Sequence, residues 1–320
     1  IVSPHQQSLV CFGSILLSVG WFANLKPERT FGVTLGDSWM SKLPEKLWDT
    51  PLFNLSLPAC HLRTNHSQTL RTFVFCLTIQ VLTVTEQLEA GVRYLDFRIA
   101  HKASDPSMDL YFVHMVYTTV IVQVLSLPLE WSSLLQLPTG YKLVQRFLCI
   151  TSPPGNVLIP AVVVPTLRTM WQRGYQVIVS YEEDLEVLKH CELWPAIPYW
   201  WGNKTTTHAL IQFLELMKRM GRPETFFVAG INLTENLRYI LVHPFGSLKT
   251  MTLRSLPCLK IWVRKQCPGP QKECINIIAG DFIGNDDFVR DVIELNTKIN
   301  PQLACPSKGS GAKSISFSAL

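Results

Sequence analysis

The sequence predicts a parallel α/β fold with the dimensions of a single barrel domain, and three observations carry that expectation. The chain has 320 residues, long for one average domain but suited to one α/β barrel. Short apolar runs bounded by turn residues alternate with helical patterns, the order expected of βαβ units. The polar residues His61, Arg98, His114, Tyr181 and Asp281 each fall at or just past the C-terminal end of such a run. In a barrel that is the end where the following loops converge on a site.

Taken in order, residues 39–48 run into the turn signal Asp49-Thr50-Pro51, and residues 52–57 alternate like a strand before Pro58. Residues 85–90 read as a short helix with Thr85 as cap and Gly91 as stop. Residues 92–99 place Val92, Tyr94, Phe97 and Ile99 as in a buried strand, and residues 110–113 form another that closes at His114. Residues 128–165 contain six prolines and offer no convincing strand–helix pair where a barrel needs one. Residues 176–180 are a fully buried type of strand ending at Tyr181. The acidic run Glu182-Glu183-Asp184 then opens a helix, where the dipole favours negative charge. Residues 207–220 make an amphipathic helix closed by Gly221-Arg222-Pro223. Residues 226–231 and 276–279 are further buried strands, the second leading into Gly280-Asp281-Phe282, and residues 289–299 form the last helix.

Composition narrows the function. Hydrophobic residues make up 47% and charged residues 17%, which provides a large core and excludes wholesale disorder. A net charge of +5 permits mild attraction to anionic lipid but falls short of a nucleic-acid footprint. The nine cysteines form no CxxC pair and no zinc-ligand spacing, which favours a reduced, cytoplasmic protein over a bridge between Cys267 and Cys274. Four Asn-X-Ser/Thr sequences begin at Asn54, Asn65, Asn203 and Asn232. Residues 8–25 are apolar but broken by Gly13, Ser14, Ser18, Gly20 and Asn24, short of the about 20 residues of a membrane span. The expected organisation is an irregular extension over 1–38, a barrel domain over 39–299 and a disordered tail over 300–320.

Two imidazoles facing one cleft can relay a proton, one as base and one as acid, because both titrate near neutrality. His61 and His114 are such candidates, although each taken alone also reads as an ordinary half-buried strand-end histidine. Arg98 can hold two phosphate oxygens, or simply pair with Asp96. Asp281 can fix an imidazole tautomer, or cap a helix. Tyr181, Trp200 and Asn203 are the candidate substrate-binding residues. Trp200 sits in an aromatic cluster, Trp194 to Trp201, that suits a sugar ring, a membrane interface or packing beneath a loop.

Residues 84–100 (VTEQLEAGVRYLDFRIA), 112–117 (FVHMVY), 177–182 (VIVSYE), 198–203 (PYWWGN), 228–234 (VAGINLT) and 277–284 (IIAGDFIG) together resemble the phosphatidylinositol-specific phospholipase C X-domain-containing proteins. The likeness spans about residues 39–297, apart from the Pro-rich middle. It implies an irregular TIM-type (β/α)8 barrel, incomplete around residues 128–165, that cleaves a phosphoinositide between glycerol and phosphate. By that resemblance the inositol 2-hydroxyl attacks phosphorus, with His61 as general base, His114 as general acid, Arg98 as phosphate clamp and Asp281 orienting His61. The partners implied are a phosphoinositide head group and the surface of a membrane. No metal cofactor is implied, because the cationic Arg98 stands where calcium-dependent relatives carry an acid. The family reads Gly-Ser-His-Asp where this chain has Ala59-Cys60-His61-Leu62, so impaired activity is expected. The alternative is an inactive protein that binds phosphoinositides or membranes. A metal-dependent glycerophosphodiester phosphodiesterase would need carboxylates at Arg98 and Leu62.

Overall fold

The computed structural model describes residues 38–61, 82, 84–101, 110–114, 116–121, 142–149, 164–191, 193–243, 246–282 and 287–299. The chain divides into two units, Ile1–Val33 and Thr34–Leu320, and everything described belongs to the second. The apolar run 8–25, Leu62, Asn65, most of the Pro-rich segment and the tail lie outside the described residues.

The described strands are β1 (Leu57–His61), β2 (Tyr94–His101), β3 (Leu110–His114), β4 (Val116–Ile121), β5 (Lys142–Cys149), β6 (Val177–Tyr181), β7 (Leu193–Trp194), β8 (Tyr199–Trp200), β9 (Val228–Gly230) and β10 (Ile277–Gly280). They form one sheet in the order β7-β6-β5-β2-β1-β10-β9-β8, with the β3–β4 hairpin attached to β2. Strands β8, β9, β10, β1 and β2 are mutually parallel and make a curled half-barrel.

The other half is mixed. Where a (β/α)8 barrel places a parallel strand after a crossover helix, β5 runs antiparallel to both β2 and β6. Its pairing with β2 extends from Tyr94↔Leu148 to Ala100↔Lys142. Part of the Pro-rich segment thus supplies a strand that needs no crossover helix, since antiparallel neighbours can be joined without one.

The helices are α1 (Val84–Glu89), α2 (Leu167–Gln172), α3 (Asp184–Lys189), α4 (Thr207–Met220), α5 (Leu237–Val242), α6 (Leu248–Arg264) and α7 (Phe288–Glu294). Thr166, Thr206, Asn236 and Ser247 each accept a backbone N–H at the start of α2, α4, α5 and α6. Two expectations shift. Residues 52–57 are not one strand: Leu52–Asn54 is a 3-10 turn and β1 starts at Leu57. Leu52 and Leu55 are both fully buried, a spacing of three that suits a helical turn better than a pleat. Helix α6 was not anticipated because Pro257 lies inside it, although its buried Leu248, Met251, Leu256, Leu259 and Val263 keep a helical period.

Helices cover one face of the half-barrel. A Cβ on Gly280 would sit 3.4 Å from Phe288 of α7, so the odd-numbered neighbours Ala279 and Asp281 belong to the opposite, inner face. At the N-terminal ends of the strands, Phe226 packs edge-on against Phe53 and Trp194 (centroids 5.9 and 6.0 Å). Polar stitching reinforces that end. Asn276 donates to Leu52 O and Leu55 O and accepts from Phe227 N. Asn296 donates to Ser56 O and Ile293 O and accepts from Ser56 N. Arg222 donates to Phe53 O, Gly269 O and Asn54 Oδ1, and burial lowers its pKa from the usual arginine value. Cys267 and Cys274 are both free thiols. Among the described residues no helix is long and apolar enough to cross a membrane.

Candidate functional site

Parallel register fixes which strand-end residues are neighbours. His61 of β1 lies opposite Asp96 of β2. Cys60 lies opposite Gly280, so the next residues along, His61 and Asp281, end β1 and follow β10 side by side. Ala279 lies opposite Gly230, which sets Asp281 beside Asn232 two residues on. A row of positions Asp96–His61–Asp281–Asn232 therefore crosses four strands, at the C-terminal ends of β1, β10 and β9 and within β2. The described side chains of that row are buried: Asp96 is 1% exposed, Asp281 4% and Asn232 6%. Directly beneath it lie the small residues Ala59, Ala279 and Gly230.

His114 and Arg98 are placed by a different route. Strand β1 occupies one edge of β2 only as far as Asp96, and β3 then takes over that edge with Ile99↔Phe112 and His101↔Leu110. His114 ends β3 two residues past Phe112, where it lies opposite Val116 of β4. Arg98 follows on β2, opposite Val144 of β5. Of the four residues assigned to catalysis by the resemblance, the backbone sets His61 at the end of β1 beside Asp281 after β10, with Arg98 within β2 and His114 at the end of β3. The side chains of His61, Arg98 and His114 lie outside the description.

Helix α1 anchors β2 for this purpose. The buried Arg93 donates through Nη1 to Leu88 O (2.9 Å) and Val92 O (2.7 Å) and lies over the Trp39 ring. Gly91, at φ +107, makes the turn between them, and Trp39 Nε1 donates to its carbonyl at 2.8 Å.

The three candidate substrate-binding residues fare differently. Tyr181 is buried and, through Gln145, falls in register with Phe97 rather than with Asp96, on the other face of the sheet. Trp200 is buried against Phe227 at 4.5 Å, again away from the row. Asn203 is exposed in the loop after β8, with φ +48. The aromatic that does reach the row is Tyr199, one residue before Trp200. Its hydroxyl donates to Asn232 Oδ1 at 2.8 Å.

Asp96, Tyr199 and Asn232 were not among the candidate site residues read from the sequence. A signal existed for two of them. Asp96 is the polar residue two positions before Arg98 in an otherwise apolar strand, hence on the same side of the pleat. Asn232 follows Ala229-Gly230-Ile231 as Asp281 follows Ile278-Ala279-Gly280. Among the described residues no group of three or more His, Cys, Asp or Glu could hold a metal ion.

No family model matches the chain. PI-PLC X domain-containing protein 1 of Homo sapiens is 47% identical over 300 residues, covering 82% of this chain and 93% of that protein. The chain belongs to the PI-PLC X domain-containing protein family. Protein 1 of Danio rerio is 36% identical over 302 residues (81% of this chain, 96% of that protein). Protein 3 of Mus musculus is 30% identical over 307 residues (82% and 94%). As a PI-PLC X domain-containing protein, the chain carries a phospholipase C-like domain, and the strand-end row is its candidate active site.

Proposed function

We propose that the chain is a phosphodiesterase that cleaves the glycerol–phosphate bond of a phosphoinositide without a metal ion. The observation that carries this reading is the place of His61 between two buried carboxylates, Asp96 in register on one side and Asp281 next along on the other. His61 takes the proton of the inositol 2-hydroxyl as that oxygen bonds to phosphorus. Asp281 holds the imidazole in the productive tautomer. Arg98 neutralises charge on the phosphoryl oxygens. The bond from phosphorus to the glycerol oxygen breaks, and His114 protonates the departing oxygen. The products are diacylglycerol and a cyclic inositol phosphate.

Leu62 removes one acid from this scheme, but Asp96 supplies a carboxylate beside His61 from the neighbouring strand, so activity is reduced rather than lost. The same edge carries exposed apolar groups: Trp201 after β8, and Ile240, Leu241 and Val242 of α5 after β9. They suit peripheral contact with a membrane that presents the lipid substrate. The antiparallel β5, in a parallel strand's place, favours the second reading, a lipid-binding protein without turnover.

Release of soluble inositol phosphate from phosphatidylinositol vesicles, with and without chelator, separates the two. Turnover is expected to resist chelator and to fall about 10²–10⁴-fold in His61→Ala and in His114→Ala. Folded protein that binds vesicles but releases no inositol phosphate would favour the second reading.

A further inference from the structure

Four asparagines are buried among the described residues; Asn54 accepts from Arg222, and the other three are used differently. Asn276 and Asn296 each make three hydrogen bonds to backbone groups through both ends of the amide. Asn232 accepts one, from Tyr199, and among the described residues its Nδ2 has no partner. A buried amide donor left unmade costs about 1–3 kcal/mol, and such exceptions in a native fold call for a reason. Two of the three carry no such cost and lie at the closed end of the strands. The third lies in the row that holds Asp281 and His61.

In the structure this amide turns its Oδ1 toward Tyr199. The Tyr199 ring crosses the inner face over Gly230, where a Cβ would stand 2.5 Å from Tyr199 Cε1, 2.9 Å from its hydroxyl and 3.0 Å from Asn232 Oδ1. Only glycine leaves room for that ring, and the ring delivers the hydroxyl that holds Oδ1. The donor end of the amide is thereby the end left over. A neutral N–H donor in a row that already contains Asp96 and Asp281 matches an oxygen of an uncharged hydroxyl or of a phosphate, and adds no charge of its own.

We infer that Asn232 is a substrate-binding residue whose Nδ2 donates to an oxygen of the polyol phosphate head group, with Tyr199 as the positioning residue that aims it. The inference rests on the proposed phosphoinositide site and adds a residue to it. It also reassigns the Asn232-Leu233-Thr234 segment from a glycosylation sequence to part of the pocket.

The test uses the full chain, with soluble myo-inositol 1-phosphate as probe in titration calorimetry and phosphatidylinositol vesicles for turnover. Asn232→Asp keeps the shape and the acceptor for Tyr199 but removes the donor. It is expected to weaken probe binding and raise KM at least tenfold, with a smaller change in kcat, and to lower the unfolding temperature because it adds a buried carboxylate to the row. Tyr199→Phe should give the same KM signature at a few-fold. Wild-type affinity in both variants would overturn the inference while leaving the proposed function standing. Absence of probe binding and of turnover in the wild type would overturn both. If Asn232→Asp fails to fold, Tyr199→Phe decides: unchanged probe affinity refutes the role, and a few-fold loss at unchanged unfolding temperature supports it.

Discussion

The two ends of the parallel half-barrel are built from the same kinds of residue and put them to opposite use. At the N-terminal end, Asn276, Asn296 and Arg222 bind backbone carbonyls and amides that the strands leave open, and the aromatics Phe53, Phe226 and Trp194 close the interior. At the C-terminal end, Asp96, Asp281 and Asn232 are equally buried, yet they stand in one row around His61. The lesson is that burial of a polar group does not by itself separate scaffold from site. What separates them is whether the group's hydrogen bonds end on the backbone or are held toward a shared space.

The largest effect that would test this division is at the closed end. Asn276→Ala leaves Leu55 O and Phe227 N without the side-chain partner and Leu52 O with only the Leu55 N–H, and should cost about 3–5 kcal/mol. A thermal melt should then fall by roughly 10 °C. An unchanged melt would break the comparison. Gly230→Ala sharpens it from the open end. The new methyl must displace Tyr199, so destabilisation of about 1–3 kcal/mol is expected together with loss of inositol phosphate binding. Loss of stability with full binding would mean that Tyr199 does not serve the site. The smallest effect belongs to the exposed surface outside both ends. Arg168 pairs with Asp49 at 2.8 Å and Glu45 at 3.3 Å, and these acids raise its pKa. Because these ion pairs are solvated, Arg168→Ala should leave the urea unfolding midpoint essentially where it is.

The sequence made the parallel wall legible because its strands are short apolar runs with polar residues just beyond them. His61 and Asp281 could be placed at strand ends from that pattern, and register then made them neighbours. Two things were hidden for physical reasons. A strand of two residues is too short to show the alternation that tells inside from outside, so Tyr199 and Trp200 could not be told apart. The pairing Tyr199↔Val228 and the hydrogen bond to Asn232 assign Tyr199 to the row. The direction of β5 was equally invisible, because the same apolar run pairs in either sense and the choice depends on how the chain returns.

The buried ends of the half-barrel also bear on how a sugar chain could be attached to this polypeptide. Asn232 is held by Tyr199 and Asn54 by Arg222, both deep in the fold, whereas Asn203 stands exposed after β8. An oligosaccharide can join Asn232 or Asn54 only on a chain that has not yet closed, and once there it blocks closure of the strand end it occupies. Of these three acceptor sequences, Asn203 alone is compatible with a folded, modified molecule. A glycan on either of the other two would mark a chain that never completed its half-barrel.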